Sequence, residues 1–262
     1  MNYLHLLKAK KFTWLLIFSF IVLLQLSFVA ARNSKSDVPP IAETVIQTVN
    51  APATSIALTA ASSFLIRNLL VYDSLKLAEQ GLSKEVFEMA LKGMEKLLEA
   101  GVTQKDNVIA IADFNQPSTN KRLYIIDLNK YELKFRTWVA HGNRSGQGMA
   151  KHFSNKMSSN QSSPGFYITG RTYQGKHGYS LRLEGVERGI NDNAGRRAIV
   201  MHGADYVNPN TISKLGYIGR SQGCPAIPMG LHRPVIDQLK DGACLFIYSP
   251  LVSYVKKSSL IG

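Results

Sequence analysis

From Val108 onward the apolar residues arrive in short runs, each closed by a polar turn. Val108 to Phe114, Arg122 to Leu128 and Leu133 to Val139 come first, separated by Asn115 to Lys121 and by Asn129-Lys130. Gly165 to Gly170, Tyr179 to Glu184, Arg197 to His202 and Ala243 to Tyr248 follow, with Gly and Asn marking the loops between them. Runs of this length, rich in β-branched and aromatic residues, read as strands. Strand follows strand without βαβ alternation, which favours an antiparallel sheet over a doubly wound one. The predicted fold class is therefore mainly β with an α extension, an antiparallel β-sandwich or barrel-like domain preceded by a helical segment.

That helical segment is read at residues 71–106. Val86, Phe87, Ala90, Leu91, Met94, Leu97 and Leu98 recur at helical spacing after Ser83, an N-cap candidate, and Gly101 stands where the helix should stop. The stripe through Phe87 and Met94 reads as core packing, not as a cofactor box. Residues 32–70 read as a linker, because Ser, Thr, Ala and Pro crowd its first half and Pro39-Pro40 and Pro52 block long helices. Before it, Lys8, Lys10 and Lys11 precede the apolar run Phe12 to Val29, which ends at Val29-Ala30-Ala31. Residues 1–31 thus read as a signal peptide cleaved after Ala31, or as an N-terminal membrane anchor if cleavage fails. No cysteine follows the run, which disfavours lipoprotein processing.

Export narrows what the charge can mean. The chain carries 31 Lys and Arg against 18 Asp and Glu, a net charge of +13. Cleavage after Ala31 would remove three lysines and no acid, so the exported part stays strongly basic. A basic protein outside the inner membrane meets anionic wall polymers or lipid head groups, not chromosomal nucleic acid. A generic solvated basic surface accounts for the charge equally well. Two cysteines, Cys224 and Cys244, exclude a disulfide-dense mini-fold and a four-cysteine zinc site. Six histidines without a tight cluster, and no paired-carboxylate motif, give no case for a metal. No repeat, P-loop or dinucleotide fingerprint is present, and no cofactor is expected.

The chemistry concentrates in two segments. Ala198-Ile199-Val200-Met201-His202-Gly203 delivers a histidine on a strand, and Arg220-Ser221-Gln222-Gly223-Cys224-Pro225-Ala226 delivers a cysteine on a glycine-containing turn. Covalent acyl transfer by cysteine needs a thiolate, an imidazole to move protons, and N–H groups to hold the oxyanion. Gly223 would let a substrate approach the backbone, and Ser221 could bond the turn or the substrate. His141 and His177 also precede glycines and compete with His202 as base. His141 fits a turn residue better, whereas His177, beside Lys176, Tyr179 and Arg182, fits either a substrate groove or a solvated loop. Asp192 and Asp205 read as turn or cap residues. A structural Cys224–Cys244 disulfide is the competing account of the cysteines, although Cys244 lies in an apolar strand where free cysteine is common.

At His202-Gly203 and Ser221-x-Gly223-Cys224 the sequence resembles the L,D-transpeptidase (YkuD-like) catalytic domain family, whose members crosslink bacterial peptidoglycan. Gly165 to Gly170, Gly175 to Leu183 and Asn191-Asp192 resemble that family's branch of larger secreted murein transpeptidases. The resemblance implies a catalytic domain at residues 107–250 and leaves 251–262 as a C-terminal tail. It implies Cys224 as nucleophile, His202 as base oriented by a backbone carbonyl, and Gly223 and Cys224 N–H groups as oxyanion donors, with Gly203 and Ser221 supporting the turns. It also implies peptidoglycan stem peptides as substrate, a periplasmic or envelope location, no metal, and acylation of the nucleophile by a carbapenem. Two positions depart from the family's commonest pattern, which has His where Gln222 stands and a basic or amide residue where Ala226 stands. Arg220 or Arg182 is then expected to hold a substrate carboxylate, with Gln222 and His177 also binding substrate. Hydrolysis, as an L,D-carboxypeptidase or amidase, and non-catalytic wall binding are the other readings of the same residues. The sequence leaves the oligomeric state open.

Overall fold

The computed structural model describes residues 63–262; residues 1–62, with the expected signal and most of the expected linker, lie outside the described residues. Helix α1 spans Ser63–Ser74 and α2 Lys84–Glu99. Eight strands follow: β1 Val108–Asp113, β2 Leu123–Asp127, β3 Glu132–Thr137, β4 Gly165–Gly175, β5 Gly178–Gly185, β6 Val200–Ala204, β7 Ala226–Pro228 and β8 Cys244–Tyr248. Helix α3, Pro209–Leu215, joins β6 to β7; α4, His232–Leu239, joins β7 to β8; and α5, Val252–Val255, lies beyond β8.

The strands form one sheet in the order β3-β2-β1-β8-β4-β5-β6-β7. Ala140, just past β3, pairs with Ala226 in β7, its N–H reaching the Ala226 carbonyl at 2.8 Å, so the two ends of the sheet meet and the barrel is nearly closed. Most pairings are antiparallel as expected, but β1–β8 and β6–β7 are parallel. The first follows because the last strand inserts beside the first; the second because α3 carries the chain back from the end of β6 to the start of β7.

Every residue of β1, β2 and β8 is buried, which explains why their sequences run apolar without alternating. Val108, Ala110, Leu123, Ile125, Leu245 and Ile247 face an inner core shared with Leu181, Met201 and α4. Their neighbours Ile109, Ile111, Tyr124, Ile126, Cys244 and Phe246 face an outer layer against α1, α2 and α5. Helix α2 begins as the sequence predicts, with the Ser83 hydroxyl accepting the Val86 N–H at 3.3 Å, and it buries Val86, Phe87, Ala90, Leu91, Met94 and Leu97. Each of these side chains other than Ala90 contributes roughly 1.5–3 kcal/mol.

Residues 63–70, expected as linker, lie in α1, where Phe64, Leu65 and Leu69 pack on the outer layer. The C-terminal tail, residues 251–262, packs on the same layer: Tyr254 is buried, and Leu260 and Ile261 belong to the same cluster. Glu187 fastens this segment, its carboxylate accepting the Tyr254 hydroxyl at 3.3 Å and the Ser258 hydroxyl.

Candidate active site

The register of β6 against β7 sets the distance between the two candidate residues. His202 pairs with Ala226, so Val200 is level with Cys224, and His202 stands two residues further along the same face. The offset is about 7 Å along the strand. The Val200 N–H donates to Cys224 Sγ at 3.5 Å, and the thiol donates to the Ala198 carbonyl at 3.7 Å. His202 is buried and its Nδ1–H donates to its neighbour's carbonyl, Gly203 O, at 2.9 Å. That bond fixes the tautomer and leaves Nε2 as the basic nitrogen, with no carboxylate involved. The His177 ring stacks on the His202 ring, centroids 4.2 Å apart and planes 17° from parallel.

Local hydrogen bonding shapes the cysteine turn. The Ser221 hydroxyl donates to the Cys224 carbonyl at 2.6 Å and accepts the Gly223 N–H at 3.0 Å. The Gly223 N–H is therefore engaged within the turn, which leaves the Cys224 N–H as the other expected oxyanion donor. Gly223 has φ +121°, and a Cβ there would meet Gln161 O at 2.8 Å and Arg197 Nη2 at 3.1 Å. Gly203 is required by packing instead: a Cβ would meet Met229 Sδ at 2.6 Å and His232 Cγ at 2.8 Å.

Beneath the turn lies a support that sequence reasoning missed. The Ser221 N–H donates to His141 O at 3.0 Å, and the Asn143 N–H donates to Ser221 O at 2.7 Å. His141 is wholly buried; its Nδ1 accepts from Arg122 Nη2 at 2.8 Å and its Nε2–H donates to Gly146 O at 3.2 Å. Arg122, itself fully buried, also donates to the Val139 and Gln116 carbonyls and stacks over Phe114 at 4.6 Å. Burial and the adjacent guanidinium push His141 down to about 4. It is a structural histidine, in line with its expected place in a turn.

Cys224, His202, His177, Arg220, Ser221 and Gln222 line one cavity of about 720 Å³. Tyr173, Lys176, Arg196, Arg197 and Tyr206 are also among its lining residues, so four Lys and Arg side chains stand at it. Arg182 is not among the lining residues: its guanidinium stacks at 4.7 Å on the ring of Tyr173, which is one of them. Tyr179 points away, its hydroxyl donating to Asp237 at 2.7 Å. Burial pushes the Cys224 thiol up, opposed by the Val200 N–H and the Arg197 charge. Burial pushes His202 down, opposed by the Gly203 hydrogen bond and reinforced by His177 and His232.

Cys224 and Cys244 are both free. Cys244 is fully buried on the outer layer, whereas Cys224 packs at the edge of the inner core, so the sheet stands between them and the alternative disulfide is overturned. Asp192 accepts from Asn155 Nδ2 at 2.6 Å and from the Gly189 N–H at 2.9 Å, a turn residue as expected. The Asp205 carbonyl accepts from Asn208, the N-cap of α3. Among the described residues no group of three or more His, Cys, Asp and Glu is placed to hold a metal ion.

The site thus sets a free cysteine, in the turn that leads into β7, beside a carbonyl-anchored histidine on β6 of a nearly closed eight-stranded barrel. Residues 78–248 match the L,D-transpeptidase catalytic domain family (YkuD_2), and the chain belongs to that family. The matched residues include α2. No protein of curated function matches the sequence. Among solved structures, an L,D-transpeptidase from Mycobacterium smegmatis is 12% identical with a TM-score of 0.34, over 55% of this chain and 59% of that one. An L,D-transpeptidase from Stackebrandtia nassauensis is 13% identical with a TM-score of 0.33, over 70% and 91%. The helical cell shape determining protein Pgp2 of Campylobacter jejuni is 16% identical with a TM-score of 0.35, over 54% and 47%. The chain thus spans little more than half the length of the first of these.

Proposed function

We propose that this chain is an exported cysteine acyltransferase, an L,D-transpeptidase that acts on peptidoglycan stem peptides through an acyl-enzyme on Cys224. The observation that carries the reading is the pairing, in one basic cavity, of a free thiol with a histidine whose Nδ1 is held by the Gly203 carbonyl. In this mechanism His202 Nε2 takes the Cys224 proton and the thiolate attacks the donor peptide's carbonyl carbon. The Cys224 N–H holds the resulting oxyanion, since the Gly223 N–H is bonded to Ser221. The tetrahedral species collapses, the C–N bond breaks, and the imidazolium protonates the departing amine. An acceptor amine then attacks the thioester, gives its proton to His202, and releases Cys224 with a new peptide bond.

Burial raises the thiol while His202 stays neutral, so the resting site holds a thiol and a neutral imidazole rather than an ion pair. Proton transfer is then coupled to substrate entry, with the surrounding cations favouring the thiolate once formed. Arg220, whose Nη1 donates to the Asn143 and Gly146 carbonyls, is held at the rim where a substrate carboxylate would enter. The export reading rests on the sequence of residues 1–31; no helix among the described residues is long and apolar enough to cross a membrane. The test is product analysis by mass spectrometry after incubation with purified disaccharide-tetrapeptides. Crosslinked dimers that disappear in Cys224→Ala support the reading. Trimmed monomers alone would replace it with hydrolysis, and wall binding without any turnover would replace it with a binding module.

A further inference from the structure

Arg197 is a cavity cation to which the proposed chemistry gives no individual task. It is half-buried at the wall of the cavity, and its four hydrogen bonds all go to neutral oxygens. Nη1 donates to Ser154 O at 2.8 Å and to the Ser163 hydroxyl, and Nη2 donates to the Ser159 hydroxyl at 3.2 Å and to Gln161 O. Among the described residues it forms no ion pair with a carboxylate. A cation withdrawn from water with no counter-ion is costly unless an anion comes to it. The same Nη2 lies 3.1 Å from where a Gly223 side chain would begin, so the charge sits against the cysteine turn. Ala198, the next residue, has φ +53°, a left-handed turn that sends its carbonyl to the Cys224 thiol while the Arg197 side chain turns to residues 154–163.

We infer that Arg197 is a positioning residue for Cys224: it supplies the counter-charge for the cysteine's anionic form and pins the 154–163 segment that walls the cavity. The inference rests on the proposed nucleophile but concerns the thiol's ionisation, which is measurable without any peptide substrate. Other charged or titratable groups that line the cavity with Cys224 are Lys176 and His177 in the β4–β5 turn, Arg196 beside Arg197, and Arg220 ahead of the cysteine. His202 on β6, Tyr206 after it and Tyr167 on β4 complete the surroundings. Arg196 donates to Asn193 and Arg220 stacks on Tyr217 at 5.3 Å, so these two cations have partners elsewhere. Arg197 is the cation whose charge pulls the Cys224 thiol down, and the cysteine acts reciprocally on Arg197.

The experiment is the pH dependence of iodoacetamide alkylation at Cys224 in the full chain, followed by peptide mapping, with fully buried Cys244 as internal control. Arg197→Gln should move the profile up by about one pH unit, so that alkylation near neutral pH slows roughly tenfold while the alkaline plateau is kept. Arg197→Lys, which retains the charge and loses most of the hydrogen bonds, should stay within about 0.3 unit of the unmodified protein. Ser159→Ala, which removes one pin and no charge, should leave the profile in place. An Arg197→Gln profile superimposable on the original overturns the inference. If that variant does not fold, Arg197→Lys decides alone: a shift of about one unit upward means that the contacts, not the charge, set the thiol. Crosslinking that fails while the thiol profile behaves as expected would instead count against the proposed reaction.

Discussion

Acid should loosen the cysteine turn from below, through His141. This histidine is wholly buried, accepts a hydrogen bond from Arg122 and holds the Ser221 backbone, so protonating it places two cations side by side without water. Its folded-state value is about 4 against 6.5 for the free side chain. The unfolded chain therefore binds more protons between these values, and stability falls as pH falls. The contribution is complete above about pH 6.5 and gone by about pH 4, and the difference of some 2.5 units corresponds to about 3 kcal/mol. Against a typical total of about 5–15 kcal/mol this is a large share. Asp113 and Glu187, both raised by burial, work with the opposite sign as pH falls, so the His141 effect must be isolated by difference. Urea unfolding of the original protein and of His141→Asn, from about pH 7.5 down to about pH 4, should give curves that converge by about 3 kcal/mol as pH falls. Imidazole NMR of the folded protein should find His141 still neutral near pH 5. A His141 that titrates near 6.5 in the folded state, or parallel stability curves, would refute the argument.

Gly203→Ala should destabilise by about 1–3 kcal/mol in urea, because the added methyl must displace Met229 Sδ and the His232 ring, and it should lower turnover by disturbing the carbonyl that orients His202. An unchanged unfolding midpoint would contradict that packing. His202 is held below the ordinary imidazole value by burial, so the acid limb of crosslinking should lie below pH 6.5 in a pH–rate profile. A limb above pH 7 would show that another group controls the reaction.

Much of the barrel was legible because buried strands write themselves as apolar runs: β1, β2 and β8 fall within about a residue of the predicted segments. Strand β7 was not, since its three residues are too few for periodicity, Pro225 precedes it and Pro228 ends it. Parallel pairing and barrel closure depend on contacts between residues far apart in sequence, such as Ala140 with Ala226, which no local pattern announces. At the site, His202 and Cys224 stood out by residue type and by family resemblance. Arg122 did not, because a buried arginine reads like a surface one until the fold surrounds it. Arg196-Arg197 immediately before the His202 strand was a usable signal, since a basic pair at the entry to that strand falls beside whatever the strand presents. For Arg182 the pattern gave the face but not the contact: it stands opposite Val200 on the face that carries His202, and its guanidinium is taken up by the Tyr173 ring.

The central claim is that Cys224 is an acylatable nucleophile activated by His202. The direct measurement is intact-mass spectrometry of the full chain incubated with a carbapenem, followed by peptide mapping. One adduct, on Cys224, that forms far more slowly in His202→Ala is the expected result. No adduct, or one that forms at the same rate without His202, would contradict the account.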